Sequence, residues 1–290
     1  MGITITPLAV HHGCTLGAQV DGVMLKSLGA ADWAVIEQAF HTHAVLIFPD
    51  QHLDADAQVG FARRFGELEI LVAGKQSIAI SNRGEQGQRL REDSVFAQLL
   101  RGNEGWHTDS SYMPLAAKAS ILSAHVLPPA GGETEWADMR AAYAALETSQ
   151  RTQIDDLTAY HSLFYSQSRI GAQAKSGDYY GFSEGAAPLR PLVKIHPVTG
   201  RKALFIGRHA CHIPGMDPAD SEHLLDELLA FACRPPRVYR HTWQPGDIAV
   251  WDNRCVLHRA RPYDNAHPRL MVHTRVRGNP ATESALAASS

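Results

Sequence analysis

Trp106-His107-Thr108-Asp109, answered far downstream by Trp251-Asp252-Asn253-Arg254-Cys255-Val256-Leu257-His258, carries the residue types in this chain that could do chemistry. Two histidines and one carboxylate form a ligand set for a divalent metal. On extended backbone, residues i and i+2 point the same way, so His107 and Asp109 can reach one ion together. With His258 they can occupy one face of an octahedron and leave the other positions open, as a non-heme Fe(II) oxygenase requires. The long separation of Asp109 from His258 fits neither a zinc finger nor a helical His-Glu-x-x-His site. Sixteen histidines make a chance His-x-Asp pair easy, so the pair draws its weight from its surroundings.

The bulk properties narrow the setting of those residues. At 290 residues, 44% hydrophobic and 20% charged, the chain can bury a sizeable core. A formal net charge of −3 gives no bias toward nucleic acid or anionic membranes, so unclustered arginines call for local partners such as a small anion. Cys14, Cys211, Cys233 and Cys255 form neither a CxxC pair nor a dense framework and read as thiols of a reducing compartment. Met1 to Pro7 has no basic stretch leading into an apolar run, and no segment has the apolar length of a membrane span. These features predict a cytoplasmic protein that spans no membrane.

The elements that must position the ligands are short strands with a few helices. Ile3 to Thr6 alternates like a strand, and Ala44 to Phe48 is a continuous apolar run before Pro49-Asp50, hence a buried strand and turn. Ala30–His41 and Asp54–Phe65 have helical spacing, the second stopping at Gly66. Ile78–Asn82 and Ala119–Val126 read as strands, and Gly131-Gly132-Glu133-Thr134-Glu135-Trp136 as a turn into another. Asp138 opens a helix through Leu146, and residues 192–206 read as a β-hairpin. Asp217-Pro218 is a capping residue followed by proline at the first helical position. Val238–Trp243, Ile248–Trp251, Cys255–Leu257 and Leu270–Val276 complete a strand-rich second half. Residues 83–105 are polar and glycine-bearing, with an apolar island at 95–100, and read equally as a mobile cover over a site or as a surface loop. Residues 278–290 are small and polar and are expected to fray. No repeat or linker divides the chain. The pattern predicts one domain, mainly β with flanking helices, arranged as a jelly-roll double sheet whose mouth holds a metal and a ligand.

Several of these segments, in this order, resemble the taurine dioxygenase/TfdA family. They are Trp106 to Tyr112, the Gly131-Gly132-Glu133-Thr134 turn, Trp251-Asp252-Asn253-Arg254 with His258, and Pro268-Arg269-Leu270-Met271. The resemblance runs from Ala44 to Arg275 and implies an Fe(II)- and 2-oxoglutarate-dependent dioxygenase, using O2, on a double-stranded β-helix (a cupin-like jelly roll). It also implies that His107, Asp109 and His258 bind the metal and act as the catalytic triad. By the same likeness Thr134 and Arg269 meet the far carboxylate of 2-oxoglutarate, with Trp251 packed beside it. A dicarboxylate is well served by the planar fork of a guanidinium. Within the family the chain is similar to the aryloxyalkanoate (phenoxy herbicide) dioxygenases, through Ser110 to Pro114, Ala137 to Tyr143, His161 to Ser168 and Gly207 to Met216. That likeness implies hydroxylation at the carbon next to the ether oxygen, yielding a phenol and a 2-oxo acid.

One position departs from the family pattern. Members such as taurine dioxygenase bind the substrate anion with an arginine four residues after the cosubstrate arginine, where this chain has His273. The substrate anion must then be met by Arg208, Arg275 or His212, while Asn103, Ser81 and His273 are further candidate pocket residues. Taurine or another small organic anion is the alternative substrate, and a zinc hydrolase the alternative chemistry, although the latter gives Thr134 and Arg269 no task. Relatives are usually oligomeric, so a homo-oligomer is expected.

Overall fold

The structure is a computed structural model that describes residues 2–8, 15–72, 74–172, 175–177, 180–182 and 185–287. Cys14 and the last three residues of the chain lie outside the described residues. The larger sheet runs through β1 (Thr4–Pro7), β2 (Ala18–Asp21), β3 (Val45–Phe48), β13 (Ile248–Asp252), β5 (Ala117–Val126), β15 (Leu270–Arg277) and β4 (Ser77–Ser81). Only its β2–β3 pairing is parallel. A second sheet has the order β12 (Val238–His241), β6 (Thr134–Asp138), β14 (Val256–Ala260).

The continuous apolar run at 44–48 follows from burial on both faces of the larger sheet. Val45 and Ile47 join Ala249, Trp251, Leu122 and Met271 in the core shared with Trp136 and Leu257 of the second sheet. Leu46 and Phe48 point the other way and join Ile248, Val250 and Ile121 under two helices. Those helices are α1 (Ala30–His43) and α2 (Ala55–Ala62), which contribute Ile36, Phe40 and Phe61. Asp54 caps α2 by accepting from the Ala57 N–H at 2.8 Å. Aromatic edges seal that layer, with Phe40–Phe65 centroids at 5.0 Å and Phe48–Phe61 at 5.5 Å. The two cores make the jelly roll of the sequence reading: one sheet faces the other, and the helices cover its back.

Smaller elements complete the frame. The segment 83–105 contains α3 (Val95–Gly102), capped by Ser94. Asp138 caps α4 (Met139–Ala144), as its position predicts, and α5 (Thr148–Ile154) follows. β7 (Thr158–His161), β8 (Leu189–Pro191) and β11 (Ala210–His212) form a three-stranded sheet, with α6 (Leu163–Ser168) after β7. β9 (Val193–Ile195) and β10 (Lys202–Leu204) are the expected hairpin, and α7 (Pro218–Ala232) starts at the expected Asp217-Pro218 signal.

The expectation of a frayed tail over 278–290 is corrected for the residues up to Leu286. Asn279 caps the short α8 (Pro280–Glu283), and Leu286 donates its N–H to the Leu189 carbonyl at 2.9 Å. Glu283 is 1% exposed and pairs with Lys194 Nζ at 2.6 Å, while Arg190 Nη1 donates to the Glu283 carbonyl at 2.7 Å. A bland composition hid one carboxylate that the body of the fold neutralises. Breaking a buried pair leaves its partner uncompensated, at a cost of about 3–5 kcal/mol. Glu283→Ala is therefore expected to lower the unfolding free energy obtained from urea titration by an amount in that range, seen as a lower urea midpoint. A midpoint within error of the parent protein would mean that the tail contributes nothing to stability.

Candidate active site

The His-x-Asp pair sits just outside the sheets, where residue 107 forms an isolated antiparallel bridge with residue 258 of β14. The two backbones exchange hydrogen bonds, His107 N–H to the His258 carbonyl at 3.0 Å and the reverse at 2.8 Å. That bridge sets the two imidazoles side by side, with ring centroids 4.1 Å apart. His258 Nε2 lies 3.6 Å from Asp109 Oδ2, and one ligand atom from each of the three residues lies within 4.8 Å of the others. The Nδ1 of His107 is 2.8 Å from the Gly105 carbonyl, which can only accept. The proton is thus on Nδ1, and the Nε2 lone pair is free to coordinate.

Electrostatics keep the three side chains in their ligating states. Burial pushes His107 down to about 4 and holds His258 and His209 well below the usual histidine range, so the imidazoles are neutral at physiological pH. Burial alone would raise the Asp109 carboxyl, but Arg275 and the surrounding imidazoles hold it well below its ordinary value. Arg275 Nη2 is 3.0 Å from Asp109 Oδ1, and Ser120 Oγ donates to Oδ2 at 2.6 Å. Neutral imidazoles, an ionised carboxylate and a free Nε2 fit a divalent metal such as Fe(II).

Behind the carboxylate stands Asn253, whose role the sequence reading missed. Its Nδ2 donates to Ser120 Oγ at 2.9 Å, and its Oδ1 accepts from Trp251 Nε1 at 3.0 Å and from the Asp109 N–H at 3.3 Å. The Asn253 carbonyl also accepts from Thr108 Oγ1 at 2.8 Å. Asn253 therefore ties the turn after β13 to Thr108 and Asp109 of the His-x-Asp segment. It lies inside the motif that drew attention to this region, but its partners are set by the fold.

Thr134, Arg269 and Trp251 line the same cavity as His107, Asp109 and His258. Trp251 lies against His258 at 4.6 Å between centroids. Thr134 Oγ1 accepts from Trp243 Nε1 at 3.0 Å, which leaves its own proton for another acceptor. Arg269 is 6% exposed and donates Nη2 to the Gly132 carbonyl at 3.0 Å, yet among the described residues no carboxylate pairs with it. Its Nε has no partner. Gly132 has a positive φ, and a Cβ there would lie 3.0 Å from Arg269 Nε, so the glycine turn is what lets the guanidinium in.

The six candidate substrate residues separate. Arg208, His273 and Asn103 line a cleft that adjoins the metal cavity, together with Tyr112, Tyr180 and the apolar face of α3. Arg208 donates Nη2 to the Ser166 carbonyl at 2.6 Å and has no carboxylate partner among the described residues. Burial lowers it to about 10, so it stays protonated. Arg275 also lines this cleft, but its charge is engaged by Asp109. His212 is not brought to the cavity: β11 pairs with β7, and its ring stacks on Tyr160 at 6.1 Å. Ser81 lies in a separate outer cleft and accepts from the Arg83 N–H at 3.0 Å. From the 83–105 segment, Phe96, Leu99 and Leu100 of α3 line this cleft.

A second trio, His41, His196 and Asp252, also gathers ligand atoms within 4.8 Å. Two of its members are engaged with other groups: Arg254 grips Asp252 at 2.8 and 2.6 Å, and His196 Nδ1 accepts from the Thr199 N–H at 3.1 Å while Nε2 meets Asp252 at 3.0 Å. His41 Nδ1 has no hydrogen-bond partner among the described residues. The trio that opens on a cavity beside an arginine lacking a carboxylate is His107, Asp109 and His258.

Residues 4–275 match the family described as taurine catabolism dioxygenase TauD, TfdA family. The chain belongs to this family. It is 52% identical to an (S)-phenoxypropionate/alpha-ketoglutarate-dioxygenase of Sphingobium herbicidovorans, over 94% of this chain and 96% of the relative. A protein of the same description from Delftia acidovorans is 48% identical over 98% of each chain. The fold superposes on the crystal structure of AAD-2 in complex with Mn(II) and N-oxalylglycine with a TM-score of 0.89 and 37% identity, covering 99% of this chain and 100% of that one. This member of the family is an Fe(II)- and 2-oxoglutarate-dependent dioxygenase, and its neutral-imidazole, ionised-carboxylate trio suits that metal.

Groups that orient metal ligands typically contribute about 10- to 100-fold to metal affinity. Asn253→Ala is expected to lose that much in Mn(II) affinity, measured by equilibrium titration of the folded protein. Ser120→Ala should show the same direction of change. Unaltered affinity in both variants would mean that Asp109 is held without them.

Proposed function

We propose that the enzyme hydroxylates an aryloxyalkanoate at the carbon between ether oxygen and carboxylate. The observation that carries this reading is the pair of carboxylate-free arginines beside the metal trio, the buried Arg269 in the metal cavity and the half-buried Arg208 in the adjoining cleft. A buried guanidinium without an anion is costly, so each calls for an anionic ligand. Two separate anions suit a reaction that takes a dicarboxylate cosubstrate and a carboxylate substrate.

In this reading His107, Asp109 and His258 would hold the iron. Arg269 takes the far carboxylate of 2-oxoglutarate, Thr134 donates its free hydroxyl proton to the same group, and Trp251 walls the space beside them. Iron with 2-oxoglutarate and O2 supplies the oxidation of a C–H bond to C–OH, with succinate and CO2 as coproducts. Arg208 fixes the substrate carboxylate, and Asn103 and the neutral His273 line the space between the two anion sites. Leu71, Ile78, Phe96, Leu99 and Tyr180 offer an apolar wall to the aryl ring. Hydroxylation beside the ether oxygen yields a hemiketal or hemiacetal, which releases the phenol and leaves a 2-oxo acid without further catalysis. The apolar wall favours an aryl substrate over taurine, and the (S)-phenoxypropionate relatives support the same choice. We also propose a single catalytic domain working as a cytoplasmic homo-oligomer. The free Cys211, Cys233 and Cys255 support a reducing compartment, and among the described residues no helix is long and apolar enough to cross a membrane.

Oxygen uptake with Fe(II), ascorbate and 2-oxoglutarate tests the substrate class directly. Phenoxypropionate or phenoxyacetate is expected to drive uptake with stoichiometric phenol release, whereas uptake with taurine alone would overturn the aryl assignment. Arg208→Gln is expected to raise the KM for the aryloxyalkanoate about 30-fold or more, equivalent to ~2 kcal/mol, while leaving 2-oxoglutarate affinity in place. Equal losses for both ligands would remove Arg208 from the substrate carboxylate. Light scattering that gives the mass of one chain would exclude the oligomer.

A further inference from the structure

Helix α3 divides two clefts of opposite character that both reach the metal cavity. Toward one cleft it presents Phe96 and Leu99, which face Leu71, Val72 and Ile78. Toward the other it presents Ala97 and Arg101, and Leu100 borders both. The second cleft is lined by four arginines, Arg89, Arg101, Arg261 and Arg269, against two glutamates, Glu92 and Glu104. Its local excess of positive charge contrasts with the chain's net charge of −3.

Arg269 links this cleft to the chemistry. Ile80, Asn103, Ala260 and Arg269 line both the outer cleft and the metal cavity, so the two meet across the Arg269 guanidinium. Tyr263, also in the outer cleft, lies under that guanidinium at 5.6 Å. Arg101 and Arg261 form no ion pair among the described residues, whereas Arg89 has only a 3.5 Å exposed contact with Glu92. Exposed pairs of that kind neutralise little of the field. Arginines that outnumber the rim's carboxylates, with Glu104 near Arg101 and Arg261 and Glu92 near Arg89, lead to a buried arginine with no carboxylate partner among the described residues and form a graded path for an anion. Clefts lined by one sign of charge raise the encounter rate of an oppositely charged ligand by about 10- to 1,000-fold, and a cleft with four arginines against two glutamates falls toward the lower end of that range.

We propose that the Arg89–Arg101–Arg261 cleft is the access vestibule of 2-oxoglutarate, and the exit of succinate, separate from the apolar mouth used by the aryl substrate. The proposal rests on the reading of Arg269 as the cosubstrate anchor. The physical logic is a division of ligands by hydration. A compact dianion keeps its water shell until it meets the buried guanidinium, while an aryl group gains by sliding along Phe96 and Leu99. Two mouths let the cosubstrate be exchanged without crossing the apolar wall.

The test uses the full chain loaded with Mn(II), mixed with 2-oxoglutarate under anaerobic conditions and followed by stopped-flow quenching of tryptophan fluorescence, Trp251 being in the cavity. In the Arg101→Ser/Arg261→Ser double variant the association rate is expected to fall about tenfold at low salt and to lose most of its dependence on ionic strength. The Arg101→Lys/Arg261→Lys variant should associate nearly as fast as the parent, because a field depends on charge rather than on the guanidinium fork. Association of phenoxypropionate should slow far less than that of the dianion. Unchanged 2-oxoglutarate association in the serine variant, or equal slowing of both ligands, would overturn the vestibule. Arg269→Gln, measured in parallel, separates the two ideas. Lost 2-oxoglutarate affinity there with normal association in the serine variant rejects the vestibule alone. Retained affinity in Arg269→Gln rejects the anchor and the vestibule with it.

Discussion

A negative charge at Asp109, 3% exposed, is the constraint around which the rest of this structure is arranged. A buried carboxylate is tolerated only when cations and donors replace the water it has lost. Here the replacements at the carboxylate are Arg275 from β15 and Ser120 from β5, and Asn253 in the turn after β13 stands behind them, donating to Ser120 Oγ and accepting the Asp109 N–H. Those strands are neighbours in the larger sheet, so the ladder that holds the sheet together also aims its donors at one oxygen pair. Burial meanwhile keeps the adjoining imidazoles neutral. The balance leaves one charged and two uncharged ligands, which a divalent metal can satisfy.

Other buried acids are handled by a cheaper device. Asp138 accepts from Arg140 two residues on, and Asp252 from Arg254 in the same spacing, each through two oxygens. Both pairs sit at strand ends, where the chain turns and an i, i+2 ion pair closes on itself. They are complete without a ligand. The buried Arg269 and the half-buried Arg208 are the reverse case, cations with no carboxylate partner among the described residues. The distinction between closed and open buried charges separates residues that hold the fold from residues that await an anion. It also removes Arg275 from the substrate candidates, since Asp109 has already claimed it.

Much of the frame was legible because its signals are local. The apolar run at 45–48, the Asp54, Asp138 and Asp217 caps and the hairpin at 193–204 follow from residue types within a few positions. The elements that escaped were short: β7, β8 and β11 have three or four residues each, too few for a period to emerge, and their stability comes from neighbours. The tail failed for a related reason. Its composition predicts fraying, but Glu283 finds Lys194 and Arg190 from strands far away in the chain.

By itself the sequence determined the ligand types, the order of the motifs and the strand-rich pattern, because coordination chemistry and backbone periodicity depend on residue identity and spacing. The candidate metal trio could be named from residue types and spacing, whereas Thr134 and Arg269 were candidates through the family resemblance. Which of several arginines keeps a free charge was decided only in three dimensions, since a guanidinium's availability depends on whether a carboxylate lies within reach. The same holds for His212, turned away onto Tyr160, for Asn253, whose amide joins segments distant in sequence, and for α3, whose two sides face clefts of opposite character. Residue type limits what a side chain can do, and the long-range packing of β-strands selects which of those possibilities is used.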